Sequence, residues 1–303
     1  MAATRSAGYR KLFFSIATLG LFMRERVVSI GQVNPLVGIL SQPETSEITN
    51  QSIAVILLNS GVIHRVGSCR LSVTLARAIV EHAGLLTLRF DFSGIGDSEA
   101  RRSTLTASES AVEEVQEVMD YLTREKNIKQ FILYGLCSGA YASYRTALKD
   151  PRVIGIAQID GYCYLSWKSY IYHYLPRLFA WERWLSATKR LIGAQKKKSG
   201  AAASGLEDRF FEVPQFPNYP PKPEVESGLA QLAQRGLKLF SVFCRNDHYN
   251  YEGQFRDCFK SAKFGDNHKL IYLTQASHIL AEPEDQQLVV GEMAKWARAT
   301  ANA

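Results

Sequence analysis

With 303 residues, 46% of them hydrophobic and 21% charged, the chain can bury one large core and has the composition of an ordinary globular protein. Its net charge of +7, from 36 basic against 29 acidic residues, is mild, and no basic helix interleaved with aromatics accompanies it, which argues against nucleic-acid binding. The five cysteines (Cys69, Cys137, Cys163, Cys244 and Cys258) are scattered and form no CxxC pair, so neither a zinc site nor a disulfide framework is indicated, no cofactor is expected, and a reducing cytoplasm fits best.

Arg5, Arg10 and Lys11 precede an apolar run over 12–23 that meets Arg24-Glu25-Arg26. The run resembles a signal peptide, but no small-x-small cleavage site follows and it is too short to span a bilayer. Residues 1–25 are therefore expected to form a packed extension, ahead of export or of membrane contact through this arm. Residues 26–30 and 36–40 read as two strands around Gly31 and Asn34-Pro35. The continuous apolar run 53–58 has the character of a central parallel strand and ends in Asn59-Ser60-Gly61-Val62-Ile63-His64-Arg65-Val66-Gly67. A helix over 69–81 and a strand over 85–90 follow, then the glycine-rich segment Asp91-Phe92-Ser93-Gly94-Ile95-Gly96-Asp97-Ser98. Its acidic and hydroxyl groups are expected to tie that loop to its neighbours. Residues 107–124 read as a helix with Thr106 and Glu109 as a capping box and an inner stripe of Val112, Val115, Val118, Met119 and Leu122.

Residues 131–134 form another apolar strand that runs into Gly135-Leu136-Cys137-Ser138-Gly139 and a helix-compatible stretch. Strand, glycine, nucleophile, glycine and helix in this order make the elbow that presents a nucleophile in α/β-hydrolases, with Cys137 at its tip. Gly135 and Gly139 allow strand and helix to pass closely, and the helix N-terminus stabilises a thiolate or an oxyanion. Ser138 is a rival nucleophile, but off-centre between the glycines its side chain is expected to point away from the site. A strand over 153–159 ends at Asp160-Gly161. From 162 the pattern changes to a stretch rich in Tyr, Trp, Phe and Leu, with a Lys/Gly/Ala/Ser-rich tract and several prolines, which reads as an insertion between sheet strands. A helix (224–235), a strand (237–243), a helical segment (255–263), a strand (269–274) and a helix (283–298) complete the chain. Alternating strands and helices predict a mostly parallel central sheet flanked by helices, the α/β-hydrolase fold with a helical lid. The expected division is an extension (1–25), a first core segment (26–161), a lid insertion (162–236) and a second core segment (237–303).

The order of the reactive residues supports that reading. Cys137 ends one strand, Asp247 follows the strand over 237–243, and His278 follows the strand over 269–274, the order nucleophile, acid, base. His278 takes the proton of Cys137 and Asp247 holds the imidazole. Asp160 is the competing acid and His248 the competing base. The oxyanion hole is expected from the backbone of Ser138 and of the Gly61-Val62 loop. His64, Tyr162, Trp167 and His248 are candidates to line the substrate site.

The segment DFSGIGDS resembles the D-x-R-G-x-G-x-S loop of α/β-hydrolases, with Ser93 in the arginine position. NSGVIHRVGS over 59–68, followed by a helix, together with GLCSGA resembles the hydrolases associated with exosortase A gene clusters, whose elbow reads GLCDGA and differs at Ser138. The resemblance spans the core but not the aromatic insertion. It implies the α/β-hydrolase fold and a cysteine-centred triad mapped onto Cys137, Asp247 and His278. The activity expected is acyl transfer through a thioester, to water in an esterase or thioesterase or to another acceptor in an acyltransferase. A catalytically silent scaffold is the alternative outside enzymology. The substrate is expected to be a small-molecule or carrier-linked acyl group, apolar or aromatic to suit the lid.

Overall fold

Strands form where the apolar runs lie and helices where apolar residues recur at helical spacing, in a computed structural model that describes residues 23–44, 52–101, 104–169, 171–172, 219–246 and 248–303. The eight strands are β1 (Met23–Ile30), β2 (Leu36–Pro43), β3 (Ile53–Leu57), β4 (Leu86–Phe90), β5 (Gln130–Leu136), β6 (Val153–Ile159), β7 (Lys238–Cys244) and β8 (His268–Leu273). They build one sheet in the order β1-β2-β4-β3-β5-β6-β7-β8. The pairs β1–β2 and β2–β4 are antiparallel and all others parallel. The described helices are α1 (Leu71–Ala83), α2 (Ala107–Lys126), α3 (Ser138–Lys149), α4 (Lys222–Gln234), α5 (Gln254–Cys258) and α6 (Pro283–Ala301). This is the expected α/β-hydrolase fold.

Because successive side chains of a strand point to opposite faces, β3 feeds two separate cores. Ala54 and Ile56 join α2, α3, α4 and α5 on one face, while Ile53, Val55 and Leu57 join α1 and α6 on the other. The inner stripe of α2 is fully buried as its spacing predicts. At its N-terminus the Glu109 N–H donates to Thr106 Oγ1 and the Thr106 N–H to Glu109 Oε2, the reciprocal cap expected from the sequence. Several elements differ in extent from the pattern: β1 begins three residues before the expected 26, and the segment expected over 255–263 is helical only over Gln254–Cys258. Charged Arg24, Glu25 and Arg26 on the edge strand β1 explain why alternation alone understated it.

The chain leaves β3 for β4 on one side, then returns past β3 to β5 on the other. The loops after β3 and β5 therefore diverge, opening a crevice at the carboxyl edge of the sheet, where ligands bind in such sheets. Most of the expected lid, the extension before residue 23 and Asp247 lie outside the described residues. Among the described residues no helix is long and apolar enough to cross a membrane.

Candidate active site

The elbow is built by sterics. Cys137 has φ 52° and ψ −113°, a conformation costly for any residue with a side chain and held here by its surroundings. Its N–H donates to the Ile159 carbonyl at 2.9 Å, and its own carbonyl accepts from the Tyr141 N–H at 3.1 Å. A Cβ on Gly135 would overlap the backbone of Gly139, and one on Gly139 would lie 2.5 Å from the Asn59 carbonyl oxygen. Strand, helix and the loop after β3 thus meet at two residues without side chains, which is why both glycines are needed. Cys137 stands just before the first turn of α3, where unpaired N–H groups favour negative charge.

His278 reaches the sulfur from the loop after β8. That loop is closed by the Leu280 N–H on the Ser277 carbonyl (2.9 Å) and by Ser277 Oγ on Glu282 Oε2 (2.9 Å), and it touches the loop after β3 through Ser68 Oγ on the Ile279 carbonyl (3.1 Å). His278 Nδ1 lies 2.6 Å from Asp160 Oδ2, and Cys137 is close enough to its ring to influence it. The Asp160 carboxylate, and then the sulfur, push the imidazole up to about 10 against the opposing effect of burial. The second oxygen of Asp160 accepts the Cys244 N–H at 2.8 Å, and the Asp160 N–H donates to Val242 at 2.9 Å, so the carboxylate is fixed between the ends of β6 and β7.

The carboxylate at His278 is thus the one expected as the rival acid. Asp247 lies outside the described residues. Chain order is preserved, because Asp160 also falls between nucleophile and base. Sequence spacing could not separate the two, since each follows a strand that adjoins the other. His248 has its N–H on Asn246 Oδ1 (2.8 Å) and its carbonyl taken by the Gln254 side chain, within the turn after β7, and the imidazole influenced by Cys137 is that of His278.

The loop after β3 departs from expectation at its tip. Gly61 N–H donates to Ser138 Oγ at 2.7 Å, so this amide is already engaged and the Ser138 side chain turns toward the loop rather than away. Ser60 and Ile63 close the turn beneath it, and Val62 is 90% exposed. The base of the loop is held by Asn59, whose Nδ2 donates to the Ile63 carbonyl (2.8 Å) and whose Oδ1 accepts the Phe92 N–H (2.9 Å). Buried Asp91 binds the Arg65 guanidinium and accepts the Arg65 N–H at 2.5 Å and the Asp97 N–H at 3.1 Å. Arg65 also pairs with Asp97, and Ser93 with Glu114. The DFSGIGDS segment ties its loop to its neighbours as expected, and Glu114 is the partner that Ser93 holds.

Also near Cys137 stands a wall of two tyrosines, Tyr141 and Tyr219, beside the Tyr162 that the sequence offers as a lining residue. Tyr141, one turn along α3, hydrogen-bonds Tyr219 through their hydroxyls. Burial raises both phenols, Tyr219 to about 12, and the nearby Cys137 adds to the rise. Tyr162 is buried and stacks on Tyr141 with ring centroids 4.1 Å apart, so it backs the wall. The i+4 spacing of Tyr141 from Cys137 was the available signal. His64 is exposed, its Nδ1 3.5 Å from the Val66 N–H, and Trp167 is 69% exposed beneath Lys168. Among the described residues neither is hydrogen-bonded to Cys137 or His278.

Known proteins agree with this architecture. A family profile described as serine aminopeptidase, S33 (Hydrolase_4) matches residues 50–208, just over half of the chain. No curated protein matches the chain in sequence. Among solved structures, an esterase from Pyrococcus furiosus superposes with a TM-score of 0.56 at 12% identity, covering 91% of each chain. The esterase domain of a Rhodothermus marinus protein gives 0.53 at 16% identity, covering 92% of this chain and 99% of its own. An α/β serine hydrolase without lid from Xanthomonas campestris gives 0.53 at 13% identity, covering 91% and 94%. At such identities these likenesses concern the fold alone. The sheet order, the strained elbow and the family match together make this chain a member of the α/β-hydrolase superfamily, in the S33 serine aminopeptidase-like hydrolase family.

Proposed function

We propose that the protein is an acyl-transfer enzyme in which Cys137 replaces serine as nucleophile, His278 is the base and Asp160 orients it. The observation that carries this reading is the 2.6 Å contact of His278 Nδ1 with the Asp160 carboxylate, on a ring that has Cys137 as its other ionisable neighbour. The sulfur attacks the carbonyl carbon of an ester or thioester, and the tetrahedral intermediate collapses with loss of the alcohol or thiol, which leaves with the proton from His278. The resulting acyl-thioester is attacked by water, whose proton passes to His278 as the C–S bond breaks. The wall of Tyr141 and Tyr219 favours an apolar or aromatic acyl group.

Mass spectrometry of protein quenched during turnover of p-nitrophenyl butyrate tests this. A butyryl adduct on Cys137, absent in Cys137→Ala, is expected. Turnover that survives in Cys137→Ala overturns the reading, and an inert Cys137 beside equally reactive Cys69 favours the silent scaffold. Transfer to an acceptor other than water is the second reading, favoured by sulfur at the elbow, since a thioester hands its acyl group readily to nucleophiles. Butyryl products on added alcohols or amines, formed in preference to butyrate, distinguish it.

A further inference from the structure

The Ser138 hydroxyl lies on the Gly61 amide, in the residue whose backbone N–H is expected at the oxyanion hole. Its oxygen accepts the Gly61 N–H at 2.7 Å, and among the described residues nothing accepts its proton. The residue is exposed at the crevice, immediately after the nucleophile in the first turn of α3. Gly61 itself stands clear of side chains: a Cβ there would meet nothing within 4 Å, and among the described residues the Ser138 contact is the hydrogen bond that Gly61 N–H makes. A hydroxyl that accepts from an amide is polarised and becomes a better donor through its own proton.

We propose that the Ser138 hydroxyl is a further donor to the oxyanion of the acyl-transfer reaction, beside the backbone N–H already expected there, and that it relays the Gly61 amide. This inference rests on the acyl-transfer reading above. As the carbonyl carbon is attacked, its oxygen gains charge and Oγ–H rotates to it while Oγ keeps the Gly61 N–H. No proton is transferred in this step. The interaction strengthens only as charge develops, so it acts on kcat rather than on substrate binding. Gly61 therefore contributes through Ser138 rather than directly, which explains how an amide already engaged still serves the site.

The test compares Ser138→Ala and Ser138→Thr with wild type, using p-nitrophenyl butyrate as substrate and butyraldehyde as an inhibitor that forms a hemithioacetal oxyanion on Cys137. Alanine is expected to lower kcat by about 10²-fold with little change in KM, and to weaken butyraldehyde by a similar factor. Threonine, which keeps the hydroxyl, restores kcat to within about tenfold of wild type. A Ser138→Ala enzyme with unchanged or raised kcat overturns the inference alone, a rise meaning that the hydroxyl plugs the hole instead. A loss that threonine does not restore also overturns it. Absence of Cys137-dependent turnover in wild type overturns the acyl-transfer reading and this inference with it.

Discussion

Asp160 and His278 lie 118 residues apart, yet Oδ2 of one is 2.6 Å from Nδ1 of the other. The contact is directional because the remaining carboxylate oxygen is held by the Cys244 N–H, leaving one oxygen to face the ring. Such a carboxylate fixes the tautomer that places the second ring nitrogen at the sulfur. Asp160→Asn is therefore expected to lower kcat by about 10²–10⁴-fold, far more than Asp247→Asn. Steady-state kinetics on both variants checks this. A larger loss in Asp247→Asn would return the orienting role to the carboxylate expected from the sequence.

The same contact governs the titration of His278. Asp160, then Cys137, raise the imidazole from 6.5 to about 10, so the folded state binds the ring proton more tightly than the unfolded chain. The stabilisation is fully present below about pH 6.5 and is lost as pH rises through about 10. An NMR titration of His278 in wild type should show a midpoint well above 6.5, lowered in Asp160→Asn. The stability difference between wild type and His278→Gln should shrink from pH 6 toward about pH 10. A wild-type midpoint at the ordinary histidine value would refute the assignment.

Gly135 and Gly139 carry the elbow through close approach of backbones. Gly135→Ala drives a methyl into the Gly139 peptide, where no flexible side chain can yield. Overpacking of this kind costs about 1–3 kcal/mol or more, and it also displaces Cys137. The urea midpoint should fall, and any folded protein should have lost acylation of Cys137. Wild-type stability in Gly135→Ala would contradict the packing described.

Asp91 is wholly buried and Arg65 partly so, its side chain 17% exposed, and together they join the loops after β3 and β4. Removing the guanidinium leaves the Asp91 charge with only its backbone and Asn59 donors, at a cost of about 1–3 kcal/mol. Arg65→Met should therefore destabilise far more than Arg124→Ala, since Arg124 makes an exposed pair with Glu125. Chemical denaturation of the two variants, with kcat measured on folded protein, tests both the energy and the loop's effect on the site.

Much of this molecule was legible from residue order because the governing rules are local. The buried runs of β3 to β7, the capped and striped α2, and the glycine-flanked turn at Cys137 each follow from side-chain period or backbone sterics within a few residues. The order in which Cys137, an aspartate and His278 follow strand ends came from the same pattern, although the aspartate expected was Asp247 and the one at His278 is Asp160. The loop Asp91–Ser98 was also readable, because hydroxyls and carboxylates among glycines have few ways to be satisfied when buried.

Which carboxylate meets His278, where the Gly61 amide points and which tyrosines wall the sulfur were decided by tertiary structure alone. Neighbouring strands are separated by about 5 Å, so residues ending β6 and β7 are equivalent to any argument from order. A hydrogen bond changes strength over tenths of an ångström. Sequence brought the reactive groups to one edge of the sheet, and the twist and packing of that sheet selected the pairs that touch.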